Sequence, residues 1–373
     1  MRYAHPFFVA SAKAPGPAAG EEENWHKQNL GPLPPIIGDG HMDLIDIIGK
    51  DGVNEINHLG EIRFHALGDS GCGGGDEAER VADDMATDFN PSAGALNPAF
   101  LLHLGDVVYG TDKTHNYTDR FYRPYRHYPG KILAIPGNHD GEVKSPDDAP
   151  SLSAFRENFC TAHAAVPAAA SGIGVYRQTM TQPGVYWMLD APFMRVIGLY
   201  SNLLENPGFL QGKTAGGAAD TSQIDWFAKT IKALKGEPKK ALVIATHHPP
   251  YSQGGHSGST AMGADIDAAC KAAGLYPDLF LSGHAHNYQR YTRRIDGKMI
   301  VYVVSGTGGM SPQPVGQATG QPATDSSTVT YDRSLASLGY SFLTVSAKQL
   351  KVEFWPLGSP HGTAFDSVTV DLT

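Results

Sequence analysis

Two histidines, His284 and His286, follow directly on the apolar run Leu279-Phe280-Leu281 and the breaker Gly283. On a helix that spacing sends the rings to different faces, whereas on a turning segment leaving a strand they can converge on one site. Taken alone, the pair also fits two solvated loop histidines. Upstream, four more corners repeat the arrangement of an apolar run, a turn and a residue able to bind a cation. They deliver Asp69 after Gly68, Asp106 after Gly105 with Tyr109 close behind, Asn138 after Gly137, and His247 after Ala241–Ala245. Carboxylate, phenol, amide and imidazole without thiolate make a hard, mixed O/N donor set, suited to iron, manganese or zinc in five- or six-coordinate geometry. Seven such groups exceed the needs of one ion. They suit two ions about 3.5–4 Å apart with one carboxylate bridging.

The elements that must position these residues are legible as strands. Ile62–Leu67 alternates like a half-buried strand, and Phe100–Leu104, Lys131–Ile135, Ala241–Ala245 and Leu279–Leu281 are short enough to be buried ones. Apolar periodicity predicts helices over 76–89, 152–159 and 222–234, the last with Ile224, Phe227, Ile231 and Leu234 on one stripe. Residues 184–189 and 194–200 read as an antiparallel pair, and 299–304, 340–346, 350–355 and 367–371 as further strands. Strand, Gly-Asp or Gly-Asn corner, then helix or loop is the grammar of a layered α/β fold with its site at strand ends. Gly306-Thr307-Gly308-Gly309 lacks the strand–loop–helix setting of a nucleotide fold and reads as a tight turn. Residues 141–182 read as an insertion beside the site, 211–219 as a Gly-rich loop and 311–330 as a long loop. Residues 1–60 carry Pro, Gly and charge without a motif and are too short for a β-sandwich of about a hundred residues. They are expected to form an arm over a main domain at 61–373.

Composition narrows the partners. The chain of 373 residues is 41% hydrophobic, enough for a substantial core, and its 43 Gly and 26 Pro imply many loops without disorder. A formal charge of −9 and a pI near 5.9 provide no basic stripe, so binding to a nucleic-acid backbone is not expected. Cys72, Cys160 and Cys270 are scattered, with no CxxC pair, so neither a zinc ribbon nor a disulfide framework is indicated. No apolar run reaches membrane-spanning length, and Phe7-Phe8-Val9-Ala10 is short for a signal-peptide core. On this reading the protein has no membrane role and is expected in the cytoplasm.

With Asp-x-Gly at 69–71, Gly-Asp-x-x-Tyr at 105–109, Gly-Asn-His-Asp at 137–140, a buried strand into His247 and Gly-His-x-His at 283–286, the chain resembles the calcineurin-like metallophosphoesterases. Within them it is similar to the purple acid phosphatases. Most of that superfamily has a ligating histidine where this chain has Gly71, and the purple acid phosphatases replace it with a tyrosine after the second motif, here Tyr109. The resemblance covers residues 60–310 and implies a four-layer α/β/β/α sandwich, two mixed β-sheets face to face with helices outside.

It also implies roles. One metal is held by Asp69, Asp106, Tyr109 and His286, the other by Asp106, Asn138, His247 and His284, with Asp106 bridging. Fe(III) is implied at the Tyr109 position and Fe(II), Zn or Mn at the other. Hydroxide on the metals attacks the phosphorus of a small phosphorylated substrate in line, the acid phosphatase reaction. His139 is the first candidate to contact phosphate or protonate the leaving alkoxide, with Asp140 orienting it. His256, nine residues after His247, matches a second substrate-side histidine of animal members, and His248 stands at a variable position. A phosphodiesterase or nucleotide hydrolase on the same site is the alternative. Family members are usually exported, which opposes the cytoplasmic expectation.

Overall fold

Alternation along the strands decides how the layers stack, because successive side chains leave a strand on opposite faces. The computed structural model describes residues 32–71, 75–110, 116–143, 150–202, 204–213, 216–318, 320, 322–323, 326–359 and 363–373. Its strands run in order β1 (His41–Asp43), β2 (Glu61–Leu67), β3 (Phe100–His103), β4 (Lys131–Ala134), β5 (Trp187–Ala191), β6 (Met194–Leu199), β7 (Gly212–Lys213), β8 (Ala219–Asp220) and β9 (Ala241–Thr246). They continue with β10 (Leu279–Ser282), β11 (Tyr288–Ile295), β12 (Lys298–Ser305), β13 (Pro322–Ala323), β14 (Ser326–Leu335), β15 (Gly339–Ser346), β16 (Gln349–Pro356) and β17 (Asp366–Asp371).

Two mixed sheets result. One has nine strands in the order β1-β5-β6-β9-β10-β12-β11-β14-β13, the other six in the order β17-β16-β15-β2-β3-β4. Phe64, Ala66, Phe100, Leu102 and Leu343 of the second sheet share one core with Val243, Ala245, Leu279, Leu281 and Val301 of the first. The alternate residues face outward. Leu67, Leu101 and Ile132 meet Val81, Ala82 and Met85 of the helix Glu77–Ala86. Ile244, Phe280 and Tyr302 belong with Phe227, Ile231, Met262 and Ile266 of the helices Ser222–Leu234 and Thr260–Ala273. This is the expected four-layer α/β/β/α arrangement.

Parallel pairing brings the functional strand ends level. Leu67 of β2 pairs with His103 of β3, which pairs with Ala134 of β4. Thr246 of β9 pairs with Ser282 of β10, and Ser282 with Val304 of β12. The next few residues of each chain segment therefore emerge at one end of the sandwich.

Several expectations need correction. The N-terminal arm up to residue 31 lies outside the described residues. From His41, however, the chain is built into the fold: β1 pairs in parallel with β5, and a helix over Ile45–Leu59, kinked at Gly49 (φ 79°), follows. Leu44 and Ile56 are buried in the inter-sheet core. The break at Gly49 and the polar face of the rest of that helix masked the pattern. The loop expected at 311–330 ends early, because β14 begins at Ser326 and pairs antiparallel with β11. Helix Thr260–Ala273 was missed, although Met262, Ile266 and Cys270 form its buried stripe. The insertion at 141–182 is partly core, with Phe155 and Phe159 packed among Tyr117 and Phe121. Cys72 lies outside the described residues. No helix among the described residues is long and apolar enough to cross a membrane.

Leu44→Ala should lower unfolding free energy by about 3 kcal/mol, the cost of emptying a fully buried leucine site, as read by urea denaturation. A loss below about 0.5 kcal/mol, the usual surface value, would show that residues 41–59 lie on the domain without completing its core.

Candidate metal centre

Three residues at the strand ends adopt the left-handed backbone region that side chains disfavour: Asp69 (φ 62°), Asp106 (φ 53°) and His284 (φ 66°). Such strain persists only where the surroundings over-determine it, and it gathers at functional sites. Here the surroundings are backbone hydrogen bonds between corners. Gly68 N–H donates to Ser305 O, Asp69 N–H to Gly105 O and Gly283 N–H to His247 O, each at 2.9 Å. The motif glycines leave room for carboxylates: a Cβ on Gly137 would stand 2.1 Å from Asp106 Oδ1. At Gly71 a Cβ would fall 2.0 Å from Val107 O, so no side chain can occupy that position. The Gly306–Gly309 turn also packs here, with Met310 N–H donating to Asp69 O at 2.9 Å.

The seven expected donors meet in two groups. In the first, the Tyr109 hydroxyl donates to Asp69 Oδ1 at 3.1 Å and lies 3.4 Å from His286 Nε2, which is itself 3.5 Å from Asp69 Oδ1. In the second, His247 Nε2 lies 3.0 Å from Asn138 Oδ1, 3.3 Å from Asp106 Oδ2 and 3.3 Å from His284 Nδ1. Donors bound at about 2.1 Å and at right angles around one cation stand about 3 Å apart. Asp69, Asp106 and His247 offer ligand atoms that all lie within 4.8 Å of one another, so Asp106 sits where the groups adjoin.

The donor set fits cations. His247 Nδ1 donates to Leu104 O at 2.9 Å, which turns Nε2 towards the oxygens of Asn138 and Asp106. Groups held this close need positive charge between them, a proton on Nε2 in the protein by itself or a cation in its place. The electrostatics agree. Burial pushes the Asp69 carboxyl up to about 7. Burial also works against an ionised Asp106, but His247 and His139 outweigh it and hold Asp106 below the usual carboxylate range. Burial, then Asp106 and Asp69, hold the Tyr109 phenol well above its ordinary value. His284 is held well below, by burial and then by His248, His247, His256 and His286, which keeps its imidazole neutral as a metal ligand must be. Bound cations invert this local logic for the carboxylates and phenol.

The substrate-side residues are arranged partly as expected. His139 reaches the open side of the centre, its ring 4.4 Å from that of Tyr109. Asp140 was expected to orient it, but its described hydrogen bonds go elsewhere, accepting Gly137 N–H at 2.8 Å, Val107 N–H at 3.1 Å and Val108 N–H at 3.2 Å. It staples two corners together. The partner of His139 Nδ1 is Glu142, at 2.8 Å. His256 lies at the rim, its ring 4.3 Å from that of His284. His248 is buried and takes both ring nitrogens into the protein, accepting from Ser201 Oγ at 2.8 Å and donating to Leu204 O at 2.7 Å. Sequence reasoning missed Glu142 and also Glu205, whose Oε2 accepts from Asn138 Nδ2 at 3.1 Å. Only a carboxylate three residues beyond a motif histidine signalled Glu142, and nothing in its loop signalled Glu205.

A family model described as calcineurin-like phosphoesterase matches residues 36–288. No curated protein matches the chain. Among solved structures, GAP50, the anchor in the inner membrane complex of Plasmodium, is similar with a TM-score of 0.56 and 13% identity, over 84% of this chain and 89% of that one. Purple acid phosphatase PPD1 from yellow lupin (Lupinus luteus) seeds is similar with a TM-score of 0.58 and 15% identity, over 83% of this chain. The match spans 54% of the lupin chain. At these identities the likeness is one of fold.

Gly137→Ala should displace the Asp106 carboxylate and cost at least half of the metal bound per chain, measured by elemental analysis of folded protein. Metal content equal to that of the parent would show that Asp106 does not bridge the two groups.

Proposed function

We propose that this chain, which belongs to the calcineurin-like phosphoesterase family, is a dinuclear metal-dependent phosphomonoesterase of the purple acid phosphatase kind, active at acidic to neutral pH. The observation that carries this reading is the substitution of one donor for another. Gly71 has no room for a side chain, and the Tyr109 hydroxyl stands 3.1 Å from Asp69 and 3.4 Å from His286. A phenolate is a hard donor that favours a trivalent ion, so the reading places Fe(III) beside Tyr109 and Fe(II), Zn or Mn beside Asn138, His247 and His284.

Two cations held there would supply positive charge against the phosphate oxygens and a water acidified far below its bulk value. The protein's own part is to bind and to move protons. Asp69 and Asp106 accept backbone N–H groups from His284 at 2.8 Å and His139 at 3.0 Å, which fixes the oxygens left for the centre. His139, on the open side with its Nδ1 held by Glu142, turns Nε2, 3.9 Å from Glu205 Oε2, to donate to the leaving alkoxide. In the protein by itself burial lowers the affinity of His139 for its proton, but Asp106 and Glu142 raise it further, to about 9, and with Asp106 turned to cations Glu142 at Nδ1 is the partner left to hold that proton. His256 faces the same opening and supplies a second contact for phosphate.

A second reading, hydrolysis of diesters or nucleotides at the same centre, draws support from Glu205. Its carboxylate at the rim opposes a phosphate dianion more than a monoanion. A panel of mono- and diesters decides between the two.

Protein reconstituted with iron should show a broad visible absorption band with about two metals per chain, and Tyr109→Phe should abolish the band and weaken one metal. A band that survives the substitution would remove Tyr109 from the ligand set, and a colourless but active manganese or zinc protein would favour the diester reading. For His139→Ala, turnover should fall about 10²–10⁴-fold, the range for loss of a general acid, with metal content unchanged. Parental turnover in that variant would exclude His139 from the reaction.

A further inference from the structure

Between β6 and the helix Ser222–Leu234 runs a loop that supplies none of the seven expected ligands, yet it is pinned against the centre. His248 Nε2 holds Leu204 O at 2.7 Å, and Gly208 N–H donates to Ser259 Oγ at 2.7 Å. A Cβ on Gly208 would stand 2.5 Å from the His248 ring, so the loop can lie this close only with glycine there. The charged side chain it carries over the opening is Glu205. Besides accepting from Asn138 Nδ2, Glu205 Oε2 lies 3.9 Å from His139 Nε2, and Oε1 lies 3.4 Å from His256 Nδ1. The side chain is 50% exposed, so part of the carboxylate meets whatever enters.

We propose that Glu205 is the specificity-determining residue of this centre. It selects phosphoesters whose alcohol carries a hydrogen-bond donor beside the ester oxygen, an ammonium above all, and it disfavours those with a second anionic group there. The inference rests on the phosphoester reading given above. A phosphate held by the centre must turn its ester oxygen towards His139, the group placed to donate to it. The departing alcohol then lies along the gap that Glu205 borders. A fixed carboxylate at that point accepts from a donor and repels an anion, and selectivity of this kind needs the repulsive partner as much as the attractive one. Nothing in the bond exchange changes: water adds to phosphorus, the P–O ester bond breaks and the alkoxide takes a proton.

Glu205 has a second consequence, since holding Asn138 Nδ2 turns Asn138 Oδ1 towards His247. Glu205→Gln separates the two effects, because the amide still offers an oxygen to Asn138 while the charge is gone.

The test compares the parent with Glu205→Gln, loaded with the same metal and checked by elemental analysis, on O-phosphoethanolamine, p-nitrophenyl phosphate and inorganic pyrophosphate. Loss of a half-exposed charge should lower kcat/KM for phosphoethanolamine, relative to nitrophenyl phosphate, by about tenfold. The ratio for pyrophosphate should rise, and orthophosphate should bind the variant more tightly by titration calorimetry. Equal changes on all three substrates would overturn the proposal, as would a fall in metal content with a uniform loss of rate, which would leave Glu205 as a support for Asn138. A metal-loaded parent that hydrolyses none of the three nor any other phosphoester would instead overturn the phosphoester reading and the inference with it.

Discussion

Asp69 and Asp106 are carboxylates with 0% and 1% of their surface exposed, close enough to offer atoms to one cation. Anions buried this near oppose each other and oppose their own desolvation, a cost that protein dipoles alone rarely meet. The N–H groups of His284 and His139 answer part of it. The remainder demands positive charge in the gap. In the protein by itself that demand falls on protons, with Asp69 raised by burial and His247 carried up to about 10 because Asp106 and Asp69 outweigh its burial. Metal ions would meet the demand at both carboxylates together, and would convert a cluster of opposing groups into a matched ligand set. The chemistry proposed for the chain follows from this one electrostatic constraint.

The fold exists to hold that constraint in place. Strand ends kept level by parallel pairing deliver short corners, and the corners bond to one another more than to solvent. Left-handed backbone at Asp69, Asp106 and His284 would relax in an isolated loop. Behind the donors stands a layer that fixes their orientation: Leu104 O holds His247 Nδ1, the His248 ring lies 4.3 Å from that of His284 at a tilt of 43°, and Asp140 ties Gly137 to Val107 and Val108. The arrangement is stiff because each of these groups has its own partner.

Much of this was legible in the sequence because the donors are chemically distinctive and each follows a strand-like run. Asp69, Asp106, Tyr109, Asn138, His247, His284 and His286 announce themselves by type and by the glycine beside most of them. What stayed hidden depends on contacts distant in the chain. Asp140 adjoins His139, so the sequence suggested a partnership, but its carboxylate turns back into the corner while Glu142, one helical turn on, reaches the ring. Glu205 lies 67 residues from Asn138, and no local pattern links them. The same holds for the fold. β1 is an edge strand of three residues, too short to show alternation, and β14 is rich in Ser and Thr, so both looked like loop until their partners β5 and β11 were in view.

The centre also divides its labour by rigidity. The expected metal donors come largely from strand ends and are buried, with His247 and Asp69 at 0% exposure. Groups that face the opening come from connections and keep contact with solvent, at 23% for the side chain of His139, 15% for His256 and 50% for Glu205. Altering a buried donor disturbs charge balance for the whole cluster, because a buried ion left unpaired is expensive. Altering a rim residue changes chiefly what the approaching molecule meets, in a more polarisable surrounding where single charges weigh less, although Glu205 also holds Asn138. A fold organised this way can keep one hydrolytic centre while its loops are exchanged. The physical reason is that the preference proposed for a particular ester resides in side chains that supply none of the seven expected metal donors.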